Sequence, residues 1–204
     1  MYTGITRGTF PVVALERRPD LLRYEVELPA ELREGLEIGA SVSIDGVCQT
    51  ATSIDGARVG FDAIEETLKL TTLGTLAEGD LVAVERSARV GDEIGGHDVA
   101  GHVIGTGEIV ECRHEGDVCD LKVGVPAAWM RYITTKGFIA VDGSSLTVGE
   151  RDDAGWFWLH LIPETLRLTN LGSKHRGARV NIELDARTVA IVDTVERVLA
   201  ERGS

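Results

Sequence analysis

The sequence repeats itself, and this repeat limits the folds that the chain can adopt. Three motifs of the first half return in the second half in the same order, 97 or 98 positions later: Leu28-Pro29-Ala30 as Val125-Pro126-Ala127, Ile44-Asp45-Gly46 as Val141-Asp142-Gly143, and Glu66-Thr67-Leu68 as Glu164-Thr165-Leu166. Ordered matches at nearly one offset indicate a duplicated structural unit. We therefore predict two homologous domains over residues 1–92 and 93–185, followed by a segment of different character over residues 186–204.

The elements predicted within each copy are short β-strands. Three segments alternate apolar and polar residues with the period of two that is typical of half-buried strands: Tyr24–Leu28, Leu121–Val125 and Val180–Leu184. Turn signals such as Asp45-Gly46 and Asp142-Gly143 separate these segments from their neighbours. Many short strands punctuated in this way predict an all-β fold, either a barrel or a sandwich.

The segment after residue 185 changes to a helical pattern. Asp185 is a suitable N-cap residue. Apolar residues then recur at helical spacing and form one stripe: Val189, Val192, Val195 and Leu199. Because a single helix has little left to cover beside two closed barrels, we expect the stripe to pack against copies of itself in an oligomer. The alternative is that the helix docks on its own barrel.

The composition of the chain limits the kinds of molecule that the protein could bind. The formal net charge of −12 argues against nucleic acid, because phosphate contacts need clustered Lys and Arg residues. The sequence shows neither a targeting segment at its start nor an apolar stretch that could span a bilayer. We therefore expect a cytoplasmic protein without a nucleic-acid or membrane partner.

The chain contains three cysteines, Cys48, Cys112 and Cys119, which are too few for a disulfide framework. Cys112 and Cys119 flank a segment that reads as a hairpin turn and that contains His114. These three residues could be imagined as metal ligands, but their spacing matches no zinc pattern. We predict that they are ordinary strand residues and that the protein holds no metal.

The glycine-rich segment Gly95–Gly107 joins the two copies and carries His97 and His102. Two histidines five positions apart in a loop are poor metal ligands without a third partner nearby. Since histidine titrates near neutral pH, both are candidates for proton transfer. The alternative is that they are loop histidines hydrogen-bonded to the backbone.

Each copy also contains two clusters of polar residues. Cys48 and Thr50 lie on one face of their predicted strand, and Ser145 and Thr147 lie on one face of the equivalent strand. The duplicated Glu-Thr-Leu motif adds a second polar cluster to each copy, where we expect a helical or irregular excursion. Two similar pockets in one chain suit a reaction or binding event that involves two like molecules.

Eight motifs occur in a fixed order: Met1–Ile5, Asp45–Thr50, Glu66–Leu68, Gly95–Val103, Lys136–Ile139, Asp142–Val148, Leu161–Leu166 and Val180–Asp185. Their residues and order resemble the riboflavin synthase family of the alpha-chain type, over the whole length up to the terminal helix. The resemblance implies two tandem six-stranded Greek-key β-barrels and a C-terminal α-helix that builds a homotrimer. It also allows an association with a lumazine synthase.

The resemblance further implies a reaction and a place for it. Two molecules of 6,7-dimethyl-8-ribityllumazine dismutate, and one donates a four-carbon unit to the other. The products are riboflavin and 5-amino-6-(ribitylamino)pyrimidinedione, and neither a cofactor nor a metal takes part. The site of the family lies between the N-terminal barrel of one subunit and the C-terminal barrel of its neighbour.

Carried over to this chain, the resemblance implies three groups of site residues. The N-barrel pocket would use Gly4, Ile5, Thr6, Cys48, Gln49, Thr50, Asp62, Ala63, Ile64, Glu65, Glu66, Thr67, Gly101, His102 and Val103. The C-barrel pocket would use Lys136, Ser145, Leu146, Thr147, Ile162, Pro163, Glu164, Thr165, Leu166 and Arg167. The catalytic candidates are Tyr2, Cys48, His97, His102, Ser145 and Asp185.

These residue types suit the implied chemistry. The 7-methyl group of the lumazine is acidic because its carbanion delocalises into the ring, and a histidine with a pKa near neutrality could move that proton. A hydroxyl or thiol, as at Ser145 or Cys48, could add to the other ring or position a water that does so. Holding two identical molecules face to face would supply much of the acceleration, about 7–11 kcal/mol at best.

The chain departs from the family pattern at a few positions: Tyr2, Thr6, Asp45, Gln49, Asp98, Ala100 and Ser144. We expect the negative charge of Asp98 to raise the pKa of the adjacent His97. Two alternatives to the synthase follow from these departures. One is a binding protein that holds a lumazine or flavin without converting it, and the other is a paralogue that acts on a modified lumazine.

Overall fold

The computed structural model describes residues 1–202 of the chain. As the alternation of apolar and polar side chains predicts, most of its regular structure is β-strand. Its strands are β1 (Thr9–Arg18), β2 (Leu21–Glu27), β3 (Ser41–Ile44), β4 (Val47–Asp55), β5 (Arg58–Ile64), β6 (Leu81–Arg86), β7 (Gly105–Glu115), β8 (Val118–Gly124), β9 (Phe138–Val141), β10 (Ser144–Thr147), β11 (Arg151–Asp152), β12 (Trp156–Leu161) and β13 (Arg179–Leu184). Its helices are α1 (Ala30–Arg33), α2 (Glu65–Leu70), α3 (Pro163–Leu168) and α4 (Ala186–Arg202).

The first six strands close into a barrel in the order β1-β2-β5-β4-β3-β6, and every pairing is antiparallel. The connection from β2 to β3 crosses over two strands, which is a Greek-key arrangement. Strand β5 runs directly into α2, where the sequence predicts a helical or irregular excursion. The predicted all-β barrel is thus confirmed for the first copy.

The second copy repeats this strand order with one interruption. Its seven-stranded sheet has the order β10-β9-β13-β7-β8-β12-β11. Strands β10 and β11 together occupy the place of β4, which has a bulge between Ala51 and Ser53. At the equivalent point the chain leaves strand geometry, and Gly149 N donates to Trp158 O at 2.8 Å. The two copies therefore share one strand order. The strand that is bulged in the first copy, β4, is interrupted in the second copy, where β10 and β11 replace it.

Each barrel has its own apolar core, and a small third cluster joins them. Tyr24 and Phe61 lie in the first core with their ring centroids 5.5 Å apart, and Phe157 is fully buried in the second core. The joining cluster consists of Tyr2, Val99 and Ala140, with Cys48 packed against it. Tyr2 and Val99 also form an isolated antiparallel bridge. The N-terminal segment thus pairs with the segment between the barrels.

The Asp-Gly turns of the two copies meet at the interface between the barrels. Asp45 Oδ1 accepts a hydrogen bond from Ala83 N at 2.7 Å, and Asp142 Oδ1 accepts one from Asn181 N at the same distance. Lys174 Nζ lies 3.1 Å from the Asp142 carboxylate. Burial, and then the charge of Asp142, raise the pKa of Asp45 to about 7. The interface therefore holds two buried carboxyl groups that share one lysine.

The terminal helix α4 begins where the sequence predicts it. Asp185 caps it, because its Oδ2 accepts hydrogen bonds from Thr188 N at 2.9 Å and from Thr188 Oγ1 at 2.6 Å. The helix predicted over residues 186–204 is present from Ala186 to Arg202, and residues 203–204 lie outside the described part of the chain. Within residues 1–202, none of the helices combines the length and apolar character that crossing a membrane requires.

The predicted stripe on α4 is divided between two environments. Val189 packs against the core of the second barrel, and Arg131 pairs with Asp193 at 2.7 Å on the same side of the helix. Val192 is half-buried, and the remaining large apolar residues of the helix lie exposed and follow one another at helical spacing: Ile191, Val195, Val198 and Leu199. The prediction of a single stripe is therefore corrected, since one part docks on the chain's own barrel and another part faces outward.

A substitution at the turn of the second copy tests the contact between the barrels. Gly143 has a φ of +81°, and a Cβ there would lie 2.8 Å from both Gly46 Cα and Gly46 N. We expect Gly143→Ala to lower the free energy of unfolding by about 3 kcal/mol or more, because backbone strain and the clash add together. Urea denaturation measures this change.

Gly177→Ala is the matched control. Gly177 has a similar φ of +89°, but a Cβ there meets nothing within 4 Å. Only the backbone strain remains, so we expect a loss of about 1 kcal/mol. Equal losses in the two variants would contradict a tight contact between the turns.

Candidate active site

Two buried glutamates hold the segments that precede the barrels. Glu85 Oε1 accepts hydrogen bonds from Thr3 N and Thr3 Oγ1, both at 2.7 Å, and Glu85 Oε2 accepts one from Gly4 N at 3.0 Å. Glu183, the equivalent residue of the second copy, accepts from the backbone N–H groups of Ala100, Gly101 and His102 at 2.7–3.1 Å. Each carboxylate fixes one chain segment against the end of a barrel strand.

The two segments held in this way cross over to the opposite barrel. Gly4 O accepts a hydrogen bond from Ser145 N at 2.8 Å, and Gly101 O accepts one from Cys48 N at 2.9 Å. Both glycines have positive φ, and a Cβ at either would lie within 3 Å of the strand that it faces. The first copy's leading segment therefore lies over the second barrel, and the second copy's leading segment lies over the first.

The N-barrel cleft has a volume of about 290 Å³. It is lined by Val47, Cys48, Glu66, Thr67, Leu70, Thr71, Gly101, His102 and Val103. The structure thus brings Cys48 together with Glu66 and Thr67 of the second polar cluster and with one of the two candidate histidines. His102 is exposed at this cleft.

The C-barrel cleft has a volume of about 220 Å³ and the equivalent lining. It is formed by Gly4, Ile5, Thr6, Ser144, Ser145, Leu146, Ile162, Glu164, Thr165, Leu168 and Thr169. Gly4, Ile5 and Thr6 were expected in the N-barrel pocket, and the structure places them here instead. The physical reason is the crossing of the leading segment, which the bond from Ser145 to Gly4 fixes.

At the C-barrel cleft a serine and a histidine form a close pair. Ser145 Oγ lies 2.6 Å from His97 Nδ1. The His97 ring is buried and stacks on Phe138, with centroids 5.1 Å apart and an interplanar angle of 17°. A hydroxyl within hydrogen-bond reach of an imidazole is the arrangement in which the imidazole can accept the hydroxyl proton.

Burial lowers the pKa of His97, although the charges of Asp185 and Asp98 act to raise it. The charge of Asp98 therefore acts in the expected direction, but burial outweighs it and the net pKa of His97 is lowered. Asp98 directs its carboxylate to an ion pair with Arg187, whose positive charge itself lowers the pKa of His97. His97 is consequently neutral at pH 7 and able to accept a proton.

Asp185 lies beside His97 and joins the pair to the terminal helix. Burial acts to raise the pKa of the Asp185 carboxyl, but the hydrogen bonds from Thr188 outweigh this effect and the pKa lies below its ordinary value. Together with His97 and Phe138 it lines a second cleft on the outer side of the imidazole. An ionised carboxylate at this position favours the protonated form of His97 whenever that form appears.

Tyr2 and Cys48 form the equivalent pair in the first barrel, with different chemistry. Tyr2 Oη donates a hydrogen bond to Cys48 Sγ at 3.2 Å. Burial raises the pKa of the Tyr2 phenol well above its ordinary range, and the bond to Cys48 raises it further. The Tyr2 phenol therefore stays protonated near neutral pH.

Several residues expected in the pockets lie outside both clefts. Gln49 is buried, and its Oε1 accepts a hydrogen bond from the phenol of Tyr24 at 3.2 Å. Asp62 pairs with Arg23 at 2.9 Å on the outer face of the first barrel. The others are exposed, in the barrel core or at the groove between the barrels: Thr50, Ala63, Ile64, Glu65, Lys136, Thr147, Pro163, Leu166 and Arg167.

Two of the departures from the family pattern contact each other. Thr6 Oγ1 lies 2.9 Å from Ser144 Oγ, and both side chains are buried at the floor of the C-barrel cleft. Burying either hydroxyl without a hydrogen-bond partner would cost free energy, and here each hydroxyl is the partner of the other. The two polar residues are therefore one coupled change.

The sequence analysis did not identify three residues that organise the site. Glu85 and Glu183 hold the crossing segments, and Phe138 covers the His97 ring. The glutamates were visible in principle, because both end the repeated Val-x-x-Glu motif 98 positions apart. Phe138 lies within the motif Lys136–Ile139, but nothing in that motif indicated that its ring would cover His97.

Comparison with known proteins agrees with this duplicated arrangement. The family described as the lumazine binding domain matches twice, over residues 3–87 and 100–185. A protein named riboflavin synthase from Escherichia coli (strain K12) is 49% identical over 203 residues, which cover 99% of this chain and 95% of that protein. The riboflavin synthase of Chlamydia pneumoniae is 40% identical over 203 residues, with 100% and 99% coverage.

Solved structures support the fold. LumP complexed with riboflavin superposes with a TM-score of 0.84 over 91% of this chain and 100% of that one, at 24% identity. LumP complexed with 6,7-dimethyl-8-(1'-D-ribityl) lumazine gives a TM-score of 0.80 over 90% and 98% of the two chains, also at 24% identity. At this identity the likeness concerns the double-barrel architecture.

The lowered pKa of His97 predicts a particular acid sensitivity. Below the ordinary histidine pKa of 6.5, the unfolded chain takes up a proton at His97 that the folded chain refuses. The contribution of His97 to stability is therefore complete above this pH and is lost as the pH falls toward the folded-state pKa. When the pH falls from about 7.5 to about 5.5, the free energy of unfolding of the parent protein should decrease. We expect the decrease to be smaller in His97→Gln, by up to about 1.4 kcal/mol, because the variant has no imidazole to protonate.

Denaturation curves at the two pH values measure this difference. Glutamine is chosen because its amide still offers a hydrogen bond to Ser145. If the parent protein and the variant lose equal stability on acidification, His97 does not have a lowered pKa in the folded state.

Proposed function

The chain belongs to the riboflavin synthase family, and from that membership we propose which of its residues carry out the reaction. The enzyme is a transferase that dismutates 6,7-dimethyl-8-ribityllumazine by moving a four-carbon unit between two molecules of it. Identities of 40–49% over nearly the whole chain support the enzyme over a protein that only binds the ligand. Two lumazine binding domains in one chain agree with a reaction between two like molecules.

We propose that each cleft holds one lumazine and that the C-barrel cleft performs the proton transfer. The observation that carries this assignment is the 2.6 Å distance between Ser145 Oγ and His97 Nδ1. Neutral His97 accepts the hydroxyl proton as Ser145 Oγ adds to an unsaturated carbon of the bound ring, and the electron pair of the π bond that breaks is taken up by the conjugated ring system. The neighbouring Asp185 carboxylate then stabilises the imidazolium.

The first barrel supplies the second lumazine and holds it in position. Its cleft has Cys48, Glu66, Thr67 and His102 at the places that the C-barrel cleft gives to Ser145, Glu164, Thr165 and Ile5. Since burial raises the pKa of the Tyr2 phenol well above its ordinary range, we assign the Tyr2–Cys48 pair to orientation of the lumazine in this cleft. His102, exposed at its edge, is the residue placed to exchange a proton with the substrate there.

We propose that the complete site forms between subunits of a homotrimer. At about 220 and 290 Å³ both clefts are smaller than typical ligand pockets of about 300–1,000 Å³. The exposed apolar residues Leu70 and Ile162 stand at the N-barrel cleft and the C-barrel cleft. A neighbouring barrel would cover both and complete the enclosure. The exposed side of α4, with Ile191, Val195, Val198 and Leu199, supplies the contact that holds the subunits together.

The proposal also includes the cellular location of the enzyme and a protein partner. The three free thiols, Cys48, Cys112 and Cys119, suit a reducing compartment, which supports a cytoplasmic location. An association with a lumazine synthase, which would deliver the substrate, remains a prediction from the resemblance alone.

Substitutions of Ser145 and Cys48, which occupy equivalent strand positions, test whether the C-barrel cleft performs the chemistry and the N-barrel cleft positions the second lumazine. With 6,7-dimethyl-8-ribityllumazine as substrate, we expect Ser145→Ala to lower kcat at least about a hundredfold, because the group that His97 activates is gone. The matched variant Cys48→Ala removes the equivalent group of the other barrel. We expect it to lower kcat less than about tenfold, because it loses contacts but no proton-transfer group.

The measurement follows riboflavin by absorbance and chromatography at saturating substrate. Circular dichroism and oligomeric state are compared so that both variants are assayed as folded protein. Equal losses in the two variants would refute the assignment of chemistry to the C-barrel, and the absence of riboflavin in the parent protein would refute the enzyme.

Mixing two inactive variants tests whether the site lies between subunits. Thr67→Trp fills the N-barrel cleft and Ser145→Ala disables the C-barrel cleft, so each homotrimer lacks complete sites. Co-refolded mixtures contain interfaces at which an intact N-barrel meets an intact C-barrel. If all interfaces are equivalent, we expect about a quarter of the parent activity to return. A site built within one chain predicts no recovery at all.

A further inference from the structure

The hairpin at the far end of the second barrel brings three metal-binding side chains together. Cys112 and His114 alternate along β7 and therefore lie on the same face of it. Cys119 on β8 is the direct cross-strand partner of His114, whereas the partner of Cys112 is Leu121. The strand register thus places one residue opposite and one diagonal to Cys119.

The ligand atoms of these residues converge on one point. Cys112 Sγ lies 3.8 Å from Cys119 Sγ and 3.3 Å from His114 Nε2, and Cys119 Sγ lies 3.9 Å from His114 Nε2. His114 is exposed, yet its ring turns toward the two sulfur atoms. The intervening Arg113 points to the other face, where its guanidinium lies 4.4 Å from the ring centroid of Trp158.

These separations are those of one face of a metal tetrahedron. Two sulfur atoms bound at about 2.3 Å to one tetrahedral ion lie about 3.8 Å apart, and a sulfur and an imidazole nitrogen lie about 3.6 Å apart. The observed sulfur–sulfur distance matches the first value, and the two sulfur–nitrogen distances fall on either side of the second. An ion fits between the three atoms with only small side-chain rotations.

A disulfide does not explain the cluster. Diagonal neighbours in an antiparallel pair have Cα atoms about 7–8 Å apart, whereas disulfide-bonded cysteines have Cα atoms at about 4.4–6.8 Å. The diagonal register that separates the cysteines is also what leaves room for an ion between their sulfur atoms. His114 has no part in a disulfide but supplies the third ligand of a metal site.

We propose that Cys112, His114 and Cys119 form a binding site for a thiophilic divalent cation, Zn²⁺ by preference. Two thiolates and one imidazole are a ligand set that selects zinc over magnesium, calcium or manganese. The two thiolates neutralise the ion. The exposed side of the cluster leaves a fourth position for water, because the hairpin turn at Gly116 and Asp117 borders solvent.

The ion would brace the hairpin at the end of the barrel that the clefts do not use. It links β7 to β8 near their turn and ties both to the buried Cys119 in the barrel core. No residue of the cluster lines either proposed substrate cleft. The site therefore adds stability to the folded protein without taking part in the reaction.

Metal titration of the full-length protein tests this proposal. Reduced protein is freed of metal with a chelator and then titrated with Zn²⁺ or with Co²⁺, which reports a thiolate ligand set by its absorption spectrum. We expect one ion per chain and a cobalt spectrum with thiolate charge-transfer and tetrahedral ligand-field bands. His114→Gln, an exposed substitution that the fold tolerates, should weaken binding at least about a hundredfold, since removing even an outer ligand partner costs 10–100-fold.

Cys112→Ser should abolish the charge-transfer band, while Cys48→Ser, which removes the third thiol from a different barrel, should leave stoichiometry and spectrum unchanged. The proposal is overturned if the parent protein binds no Zn²⁺ while its thiols are reduced, or if His114→Gln and Cys112→Ser bind as the parent does. A Cys112–Cys119 disulfide in protein purified without reductant, detected by mass, would overturn it as well.

Discussion

The buried carboxylates of Glu85 and Glu183 are the interaction on which the rest of the structure depends. Burial raises the pKa of both groups, and the hydrogen bonds from Thr3, Gly4, Ala100 and Gly101 act in the opposite direction. Each carboxylate accepts three bonds, which is what makes burying such a group tolerable. The result is that an otherwise irregular segment crosses from its own barrel to the other and completes the cleft there.

The two halves of the chain share one barrel scaffold but differ in the side chains at their clefts. At equivalent strand positions one barrel has Ser145 and the other Cys48. Ser145 contacts an imidazole whose pKa burial lowers, and Cys48 contacts a phenol whose pKa burial raises. In both cases burial favours the neutral form, yet neutral histidine is a base and neutral tyrosine is a weak acid. The same physical effect therefore supports our proposal that the Ser145–His97 pair is reactive, whereas the Cys48–Tyr2 pair is not.

Sequence alone predicted the barrels and many of the cleft residues, because the repeat offset and the two-residue alternation are local signals. It misplaced Gly4, Ile5 and Thr6, since a hydrogen bond from Ser145 to Gly4 joins residues that are far apart in the chain. It also dismissed Cys112, His114 and Cys119 as metal ligands. Zinc patterns are written as spacings along one chain, whereas here the register of two strands places His114 opposite Cys119. At both places tertiary contacts, which spacing along the sequence does not reveal, decide which residues meet.

The geometry of one chain supports our proposal that the complete site forms between two chains. The two clefts share no lining residue, and the buried cluster of Tyr2, Val99 and Ala140 joins the barrels internally. Two lumazines bound in the clefts of a single chain therefore have separate walls and no common space in which their rings could meet. A four-carbon transfer requires contact between the two rings. Under our proposal the duplicated fold satisfies this requirement when the N-barrel cleft of one subunit faces the C-barrel cleft of the next, and oligomerisation is then a condition of catalysis.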